Sequence, residues 1–427
     1  MLATELEPSV MCPVSMTYAA VPALAEAAPL ALDLRASLAR ADYEPALGAL
    51  EAKRALTLGM GMTEKQGGSD VRANTTQAEH DGADAWGERY RLVGHKWFLS
   101  APMSDAFLVL AQAKEGLTCF LLPRVLPDGS RNALLIQRLK DKLGNHANAS
   151  SEVEFDQAFA WQVGPSGQGV RQILTMGVMT RLDCALGTAG LMRAALSLAI
   201  DHARARHAFG RRLVEHDLMR CVLADLAVEA EAAIVLALRL ATCFDRRDDP
   251  HEQAVARVLT PIAKFWICKR GAAFAQEAME CLGGNGYVEE GGRGVMARIY
   301  REMPLNSIWE GAGNIMALDL LRGLRGTDVA AVLASEFAAV RGYDSILDRT
   351  IARVPVWLDQ DAEPASARLL ASRLATLWQA ATLARVAPEF VARAFIASRL
   401  GDTPPAVFGL LPVGVEGAAI IERARPR

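Results

Sequence analysis

Near residue 165 the hydrophobic texture of the chain changes period, and that change limits the folds open to it. From 57 to 165 the apolar residues fall in short β-rich runs, RYRLVGHKWFLS, DAFLVLAQA, LTCFLLPRV and SEVEFDQAF, separated by Gly, Pro, Asp and Asn turns. Beyond Gly169, Leu, Ala, Met and Val recur at three- and four-residue spacing through 170–205, 216–247, 252–281 and 312–325. A compact β domain followed by a four-helix bundle accounts for both patterns. The last hundred residues, 326–427, read as further helices rich in Ala, Leu and Arg, and no internal repeat is visible.

With 427 residues, 51% of them hydrophobic, the chain can bury a large core in two to four domains. A net charge of -3 sets up no overall basic field toward nucleic acid or an anionic membrane. Residues 8–25 carry no charge, but Pro8, Pro13 and Pro22 interrupt them and the first basic residue, Arg35, follows the run. That pattern fits neither a signal peptide nor a spanning helix. Seven cysteines are scattered singly with no CxxC pair, which points to a reducing cytoplasm rather than a disulfide framework or a zinc site. The histidines show no HExxH spacing, and Ser166 does not sit in GxSxG, so no metal site and no serine hydrolase is expected.

Chemistry concentrates in YREMPLNSIWEGAGNIM, residues 300–316. Glu310 stands between Ile308 and Trp309 on one side and Gly311 on the other, with Ile315 and Met316 just beyond. A carboxylate entering a poorly hydrated cleft becomes a better proton acceptor, which makes Glu310 a candidate general base. The alternative is a carboxylate at the N-terminus of the helix through ALDLLRGL, and the segment alone leaves both open.

Four other segments carry weaker signals. GMGMTEKQGGSDV, from Gly59 to Val71, offers the Thr63 and Ser69 hydroxyls beside two glycines that let backbone approach a ligand, or is an ordinary polar turn. GHKWFLS, 94–100, sends Phe98 and Ser100 to one face of a strand, as a cofactor platform or as simple core. RHAFGRRL, 206–213, is a pyrophosphate clamp or a solvated turn, and LGGNGY, 282–287, a ligand approach or a helix C-cap. Neither a Rossmann glycine fingerprint nor a P-loop is present.

In this order, MTEKQGGSDV, GHKWFLS, KDKLGN, RHAFGRRL, LGGNGY and IWEGAGN together resemble the acyl-CoA dehydrogenase family of flavoproteins, over roughly 57–325. MTEKQGGSDV, MTRLDCALG and YREMPLNSIWEGAGNIM resemble more narrowly its AidB branch, bacterial alkylation-response flavoproteins with an additional C-terminal helical domain. The resemblance implies a mainly α, α+β multidomain fold. Residues 1–56 would be a partial N-terminal helical domain, the end of a longer one, and 57–165 a middle β barrel. A C-terminal four-helix bundle would occupy 166–325 and the AidB-like extension 326–427.

The resemblance also implies a cytoplasmic homotetramer with FAD held between barrel and bundle and partly by a neighbouring subunit. Met62, Thr63 and Ser69 would line the flavin, and Phe98 and Ser100 would lie beside the ring, with Ser100 bonding nitrogen 5. Arg206 and Phe209 would reach FAD across a subunit interface together with the backbone of Gly283 and Gly284, and Asn314 would sit near the adenine end. Glu310 would remove the α proton of a short or branched acyl-CoA, flanked by Trp309 and Gly311 at the substrate, while the β carbon delivers hydride to the flavin. Arg181 would position the CoA thioester arm or form a structural ion pair.

Some features depart from the family pattern: Val178 replaces an acid near the CoA chain, Glu280 a glutamine at FAD, and Lys65 the proline of the TEP sequence. An electron-transfer acceptor would complete the cycle. The AidB branch raises the alternative of a flavoprotein that binds double-stranded DNA with little dehydrogenation. Residues 326–427 contain 11 arginines, 11 acids and no lysine, so bulk charge there does not favour DNA.

Overall fold

The computed structural model describes residues 1–25, 29–289, 294–326, 328–402 and 404–425. In chain order it contains the short helix α1 (Leu2–Leu6), then α2 (Met11–Ala23) and α3 (Pro29–Leu38). Seven strands follow: β1 (Leu58–Gly61), β2 (Gln77–Asp84), β3 (Gly87–Ser100), β4 (Ala106–Ala113), β5 (Gly116–Pro123), β6 (Leu134–Leu139) and β7 (Ser150–Val163). The long helix α4 (Gly169–Ala205) leads to a two-stranded hairpin, β8 (His207–Ala208) and β9 (Arg211–Arg212). Helices α5 (Asp217–Asp245), α6 (Pro250–Cys281), α7 (Val295–Asn306) and α8 (Gly313–Gly326) come next. The chain ends in α9 (Val329–Ala338), α10 (Ser345–Ala352), α11 (Val354–Gln360), α12 (Ala367–Val386), α13 (Glu389–Arg399) and α14 (Gly417–Ala424). These elements form two compact units, residues 7–180 and residues 1–6 with 181–427.

In the first unit the strand pairings close into a ring. β4 pairs β2, β2 pairs β3, β3 pairs β7, β7 pairs β5, and β5 pairs β4 again. Closure leaves β1 and β6 as additions, on β4 and β7 respectively, and removes most free edges. Tyr90, Leu92, Leu99, Phe107, Val109, Phe120, Leu122 and Phe155 fill one side of the sheet. Ala19, Ala20, Leu58, Leu108, Leu110, Leu121, Trp161, Ile173 and Met176 cover the other. β4 and β5 are therefore apolar on both faces, which is why their sequences read as continuous runs rather than alternations.

The second unit has one apolar core. α5 contributes Leu223, Leu226, Leu236 and Leu240, and α6 contributes Val255, Leu259, Ile262 and Phe274. The extension adds Phe337, Leu374, Trp378 and Phe395 to the same cluster. Polar contacts join it to the bundle helices. Arg239 pairs with Glu252 and Glu336, the Trp378 indole donates to Glu336 at 3.1 Å, and the Trp266 indole donates to Gln379 at 3.0 Å. Arg399 bonds both Asp225 and Glu229, two carboxylates buried in α5. Satisfied buried charge of this kind ties elements to one arrangement.

The bundle differs from the sequence reading in one element. α7 separates α6 from α8, so the run that leads to Glu310 is helical as far as Asn306. Among the described residues α4 alone is long and apolar enough to cross a membrane, and most of its apolar stretch is buried in protein.

Candidate active site

Between the last residue of α7 and the first of α8 the chain makes a tight turn through Trp309, Glu310 and Gly311. Glu310 has φ +58° and Gly311 φ +101°, two consecutive residues in left-handed backbone. A non-glycine residue held there costs about 1–2 kcal/mol, so the surroundings must impose it. They do so through three successive carbonyls. Arg181 Nε donates to the Glu310 carbonyl at 2.9 Å, and Lys264 Nζ donates to those of Trp309 at 2.8 Å and Gly311 at 2.6 Å.

Each clamp is itself anchored. Arg181 Nη1 bonds Asp319 Oδ2 at 2.9 Å, and Arg257 reaches the other oxygen of Asp319 at 3.2 Å. Lys264 rises from the buried middle of α6 with 1% of its surface exposed. The Trp309 indole donates to Asn306 at 3.1 Å, Asn306 donates to Thr188 at 3.0 Å, and Thr188 donates to the Cys184 carbonyl at 2.7 Å. Burial raises the Cys184 thiol well above its usual value, against the pull of Lys264, and the nearby Cys268 and Glu310 raise it further. Cys184 is therefore a protonated thiol and no nucleophile.

At Gly311 any side chain would be strained by the backbone and would force the tip of Met316 to move. A Cβ there would stand 2.6 Å from Met316 Cε and 3.2 Å from Ile315 Cγ2. The Met316 amide bonds the Ala312 carbonyl, so α8 begins after Gly311 and Glu310 precedes its cap. Asn314, exposed in the first turn, accepts from Arg368 of α12 at 2.9 Å.

The other expected residues of this unit are spread over separate elements. Arg206 and Phe209 belong to the β8–β9 hairpin, whose two-residue loop puts Phe209 at φ +51° and Gly210 at φ +80° with Phe209 94% exposed. Gly283 and Gly284 begin the short helical turn after α6, Gly283 at φ +59°, with nothing within 4 Å of a Cβ at either. That open backbone suits close approach of a ligand.

In the barrel unit the loop after β1 and the end of β3 come together. Trp97 N donates to the Thr63 carbonyl at 2.8 Å, and Lys65 N bonds His95 at 3.1 Å. Beneath them Lys96 Nζ meets Glu64 at 2.7 Å with both side chains fully buried. Burial opposes charge on Glu64, but Lys96 and hydrogen bonds from Thr76 and Gln66 hold its carboxyl down at about 2. Gly68 is needed here because its Cβ would lie 2.5 Å from Thr63 Oγ1. Met62 is half-buried and Ser69 exposed on the same loop. A register shift between Lys96 and Leu99 turns Phe98 outward, 46% exposed, with Ser100 half-buried two residues on. An exposed ring and a hydroxyl at a strand end, beside a loop bearing the Thr63 hydroxyl, offer an apolar face and two hydrogen-bonding groups.

Sequence reasoning missed Lys264, Asp319, Arg257, Asn306 and Arg368. Only Lys264 left a trace, a lone charge in the apolar stretch LTPIAKFWIC. Among the described residues, four of the five non-glycine residues with positive φ, Ala101, Asn145, Phe209 and Glu310, lie in or next to the motif segments.

The chain matches the acyl-CoA dehydrogenase middle domain over residues 59–158 and the C-terminal domain over 167–325, and the N-terminal domain of the adaptive response protein AidB over 1–45. It is 52% identical over 367 residues to the putative acyl-CoA dehydrogenase AidB of Escherichia coli, covering 85% of this chain and 66% of that one. It is 33% identical over 334 residues to acyl-CoA dehydrogenase family member 11 of Caenorhabditis elegans, covering 75% and 52%. The solved structure of C. elegans ACDH-11 in complex with C11-CoA superposes with a TM-score of 0.79 at 26% identity, covering 97% of this chain and 71% of that one. The chain belongs to the acyl-CoA dehydrogenase family and is AidB-like within it. Members of the family use FAD. The chain spans about two thirds of the length of the E. coli relative and about half that of the worm relative.

Proposed function

We propose that the chain is an FAD-dependent oxidoreductase that dehydrogenates a short or branched acyl-CoA between its α and β carbons, with Glu310 as the base. The observation that carries this reading is the turn itself: Glu310 is held in left-handed backbone by two cationic side chains bound to its own and its neighbours' carbonyls. Trp309 and Gly311 flank it as substrate-lining residues, and Arg181 acts from behind the turn through Asp319 and the Glu310 carbonyl.

Glu310 takes the α proton at a carboxylate oxygen. Because a peptide is planar and trans, the Glu310 N–H points opposite to the Trp309 carbonyl that Lys264 holds. Bound FAD supplies the acceptor for the β hydride. The proposed FAD contacts are Met62, Thr63, Ser69, Phe98 and Ser100, and, from the same chain or a neighbouring subunit, Arg206, Phe209, Gly283, Gly284 and Asn314. The exposure of Phe209 supports a role across a subunit interface; the assembly proposed is a cytoplasmic homotetramer. An electron-transfer partner would reoxidise the flavin.

In the extension, Arg373, Arg393, Arg399, Arg423 and Arg425 are paired with carboxylates, which leaves them poorly placed to neutralise phosphates and weighs against duplex DNA as the ligand.

The test is the visible flavin spectrum of the purified protein under anaerobic conditions, before and after a panel of acyl-CoA thioesters, in wild type and Glu310→Gln. The proposal expects bleaching in wild type and reduction slowed by about 10²–10⁴-fold in the variant with flavin retained. A persistent flavin band with every thioester, or equal bleaching in the variant, overturns it.

A further inference from the structure

We propose that Lys264 is a positioning residue for Glu310, setting where the carboxylate stands by holding the carbonyls on either side of it; this rests on the reading of Glu310 as the base. Lys264 contributes nothing to the apolar core that an isosteric apolar residue would not supply better, since burying an ammonium is unfavourable unless its protons are used. Two of them bond the Trp309 and Gly311 carbonyls at 2.8 and 2.6 Å. Carbonyls of alternate residues converge on one donor only if the chain between them folds back. The left-handed backbone of Glu310 and Gly311 is that fold.

The consequence is directional. With both carbonyls turned toward Lys264, the N–H groups of Glu310 and Ala312 face the other way, and the Glu310 side chain leaves the turn from a fixed Cα. Arg181 holds the remaining carbonyl from α4, and its guanidinium is shared with Asp319. Lys264 thus binds two of the three carbonyls from a single atom on a separate helix, α6. A catalytic carboxylate displaced by even an ångström loses rate steeply, so this support is expected to act on the rate of proton abstraction more than on thioester affinity.

The experiment uses the full FAD-loaded chain as wild type, Lys264→Met and Lys264→Arg. Amide hydrogen exchange is followed in peptides covering 305–316, where the Ile308 and Trp309 amides bond the Leu305 carbonyl and the Met316 amide bonds that of Ala312. Lys264→Met should speed exchange of these amides at least tenfold while the rest of α6 exchanges as in wild type, and Lys264→Arg should recover part of the protection. In the same samples the rate constant of flavin reduction should fall at least tenfold in Lys264→Met with less than a twofold change in the thioester concentration giving half-saturation. Unchanged exchange at 305–316, or acceleration spread evenly along α6, overturns the proposal. If no thioester reduces the wild-type flavin, the dehydrogenase reading fails, and the exchange data still decide whether Lys264 clamps the turn.

Discussion

Arg368 of the C-terminal extension donates from Nη1 to Asn314 Oδ1 at 2.9 Å and lies over the ring of Phe265, 5.5 Å from its centroid. Asn314 stands one residue inside α8, just after the turn that carries Glu310. With its carbonyl oxygen engaged, the Asn314 amide has its NH₂ side as the donor available to a ligand. Under the proposed flavin reading, Arg368→Ala frees that amide to rotate. The expected loss is about 1 kcal/mol, roughly a fivefold weaker hold on FAD, measured by flavin fluorescence on dilution. Retention equal to wild type would separate the extension from the cofactor.

The Lys96–Glu64 pair yields a pH prediction whose sign follows from Glu64. Its carboxyl is held at about 2 in the folded state against an ordinary value of 4.5, so the unfolded chain takes up the proton first as pH falls. The stabilisation is complete above the unfolded value and disappears as pH drops through 4.5 toward 2, amounting to roughly 3 kcal/mol. Lys96→Met leaves a buried carboxylate without its partner and should destabilise the barrel unit by about 3–5 kcal/mol at neutral pH, with a smaller penalty at pH 4. Denaturant titrations at the two pH values check this. A penalty that does not shrink on acidification would mean Glu64 is not the group responsible.

How far the sequence foretold this arrangement depends on the range over which each signal acts. The barrel strands were legible because apolar runs such as AFLVLA and LTCFLL are local, and so was the helical period of α5 and α6. α7 was hidden because VMARIYREMPLN is short and mixes Arg298, Arg301 and Glu302 with Pro304. Glu310, Trp309 and Gly311 could be picked out as neighbours in one segment. The groups that hold them could not: Lys264 lies 45 residues before Trp309 and Arg181 lies 129 before Glu310, and no spacing rule links residues brought together only by helix packing. Alternation did put Phe98 and Ser100 on one face, but the register shift that turns Phe98 outward while Lys96 goes inward is set by pairing with β7.

Gly311→Ala tests the turn at its second left-handed residue. The new Cβ would meet Met316 Cε at 2.6 Å, and φ +101° is strained for any L side chain. Trimming the fully buried Met316 to Ala relieves the contact but opens a cavity of its own, so the comparison is a four-protein cycle: Gly311→Ala should cost about 1–3 kcal/mol beside Met316 and less, but not zero, beside Ala at 316. Thermal unfolding of the four proteins decides the division. No cost of Gly311→Ala in the Met316→Ala background would show that the clash alone excludes a side chain.

Phe209 sits at φ +51° with 94% of its surface exposed, in the hairpin that also carries Arg206. Within the chain the ring gains only an edge-on contact with His216, centroids 6.0 Å apart, while a two-residue hairpin loop with positive φ at both positions favours Asn-Gly or Gly-Gly. A residue that strains its own hairpin and exposes a large ring is explained if the ring is covered in the assembly. Phe209→Gly should therefore leave the unfolding free energy of the separated chain unchanged or raise it by about 0.5–1 kcal/mol, while weakening both subunit association and FAD retention. Sedimentation over a concentration series, with flavin absorbance followed in the same cell, reads both. An unchanged assembly that keeps its flavin would show that the ring serves neither role.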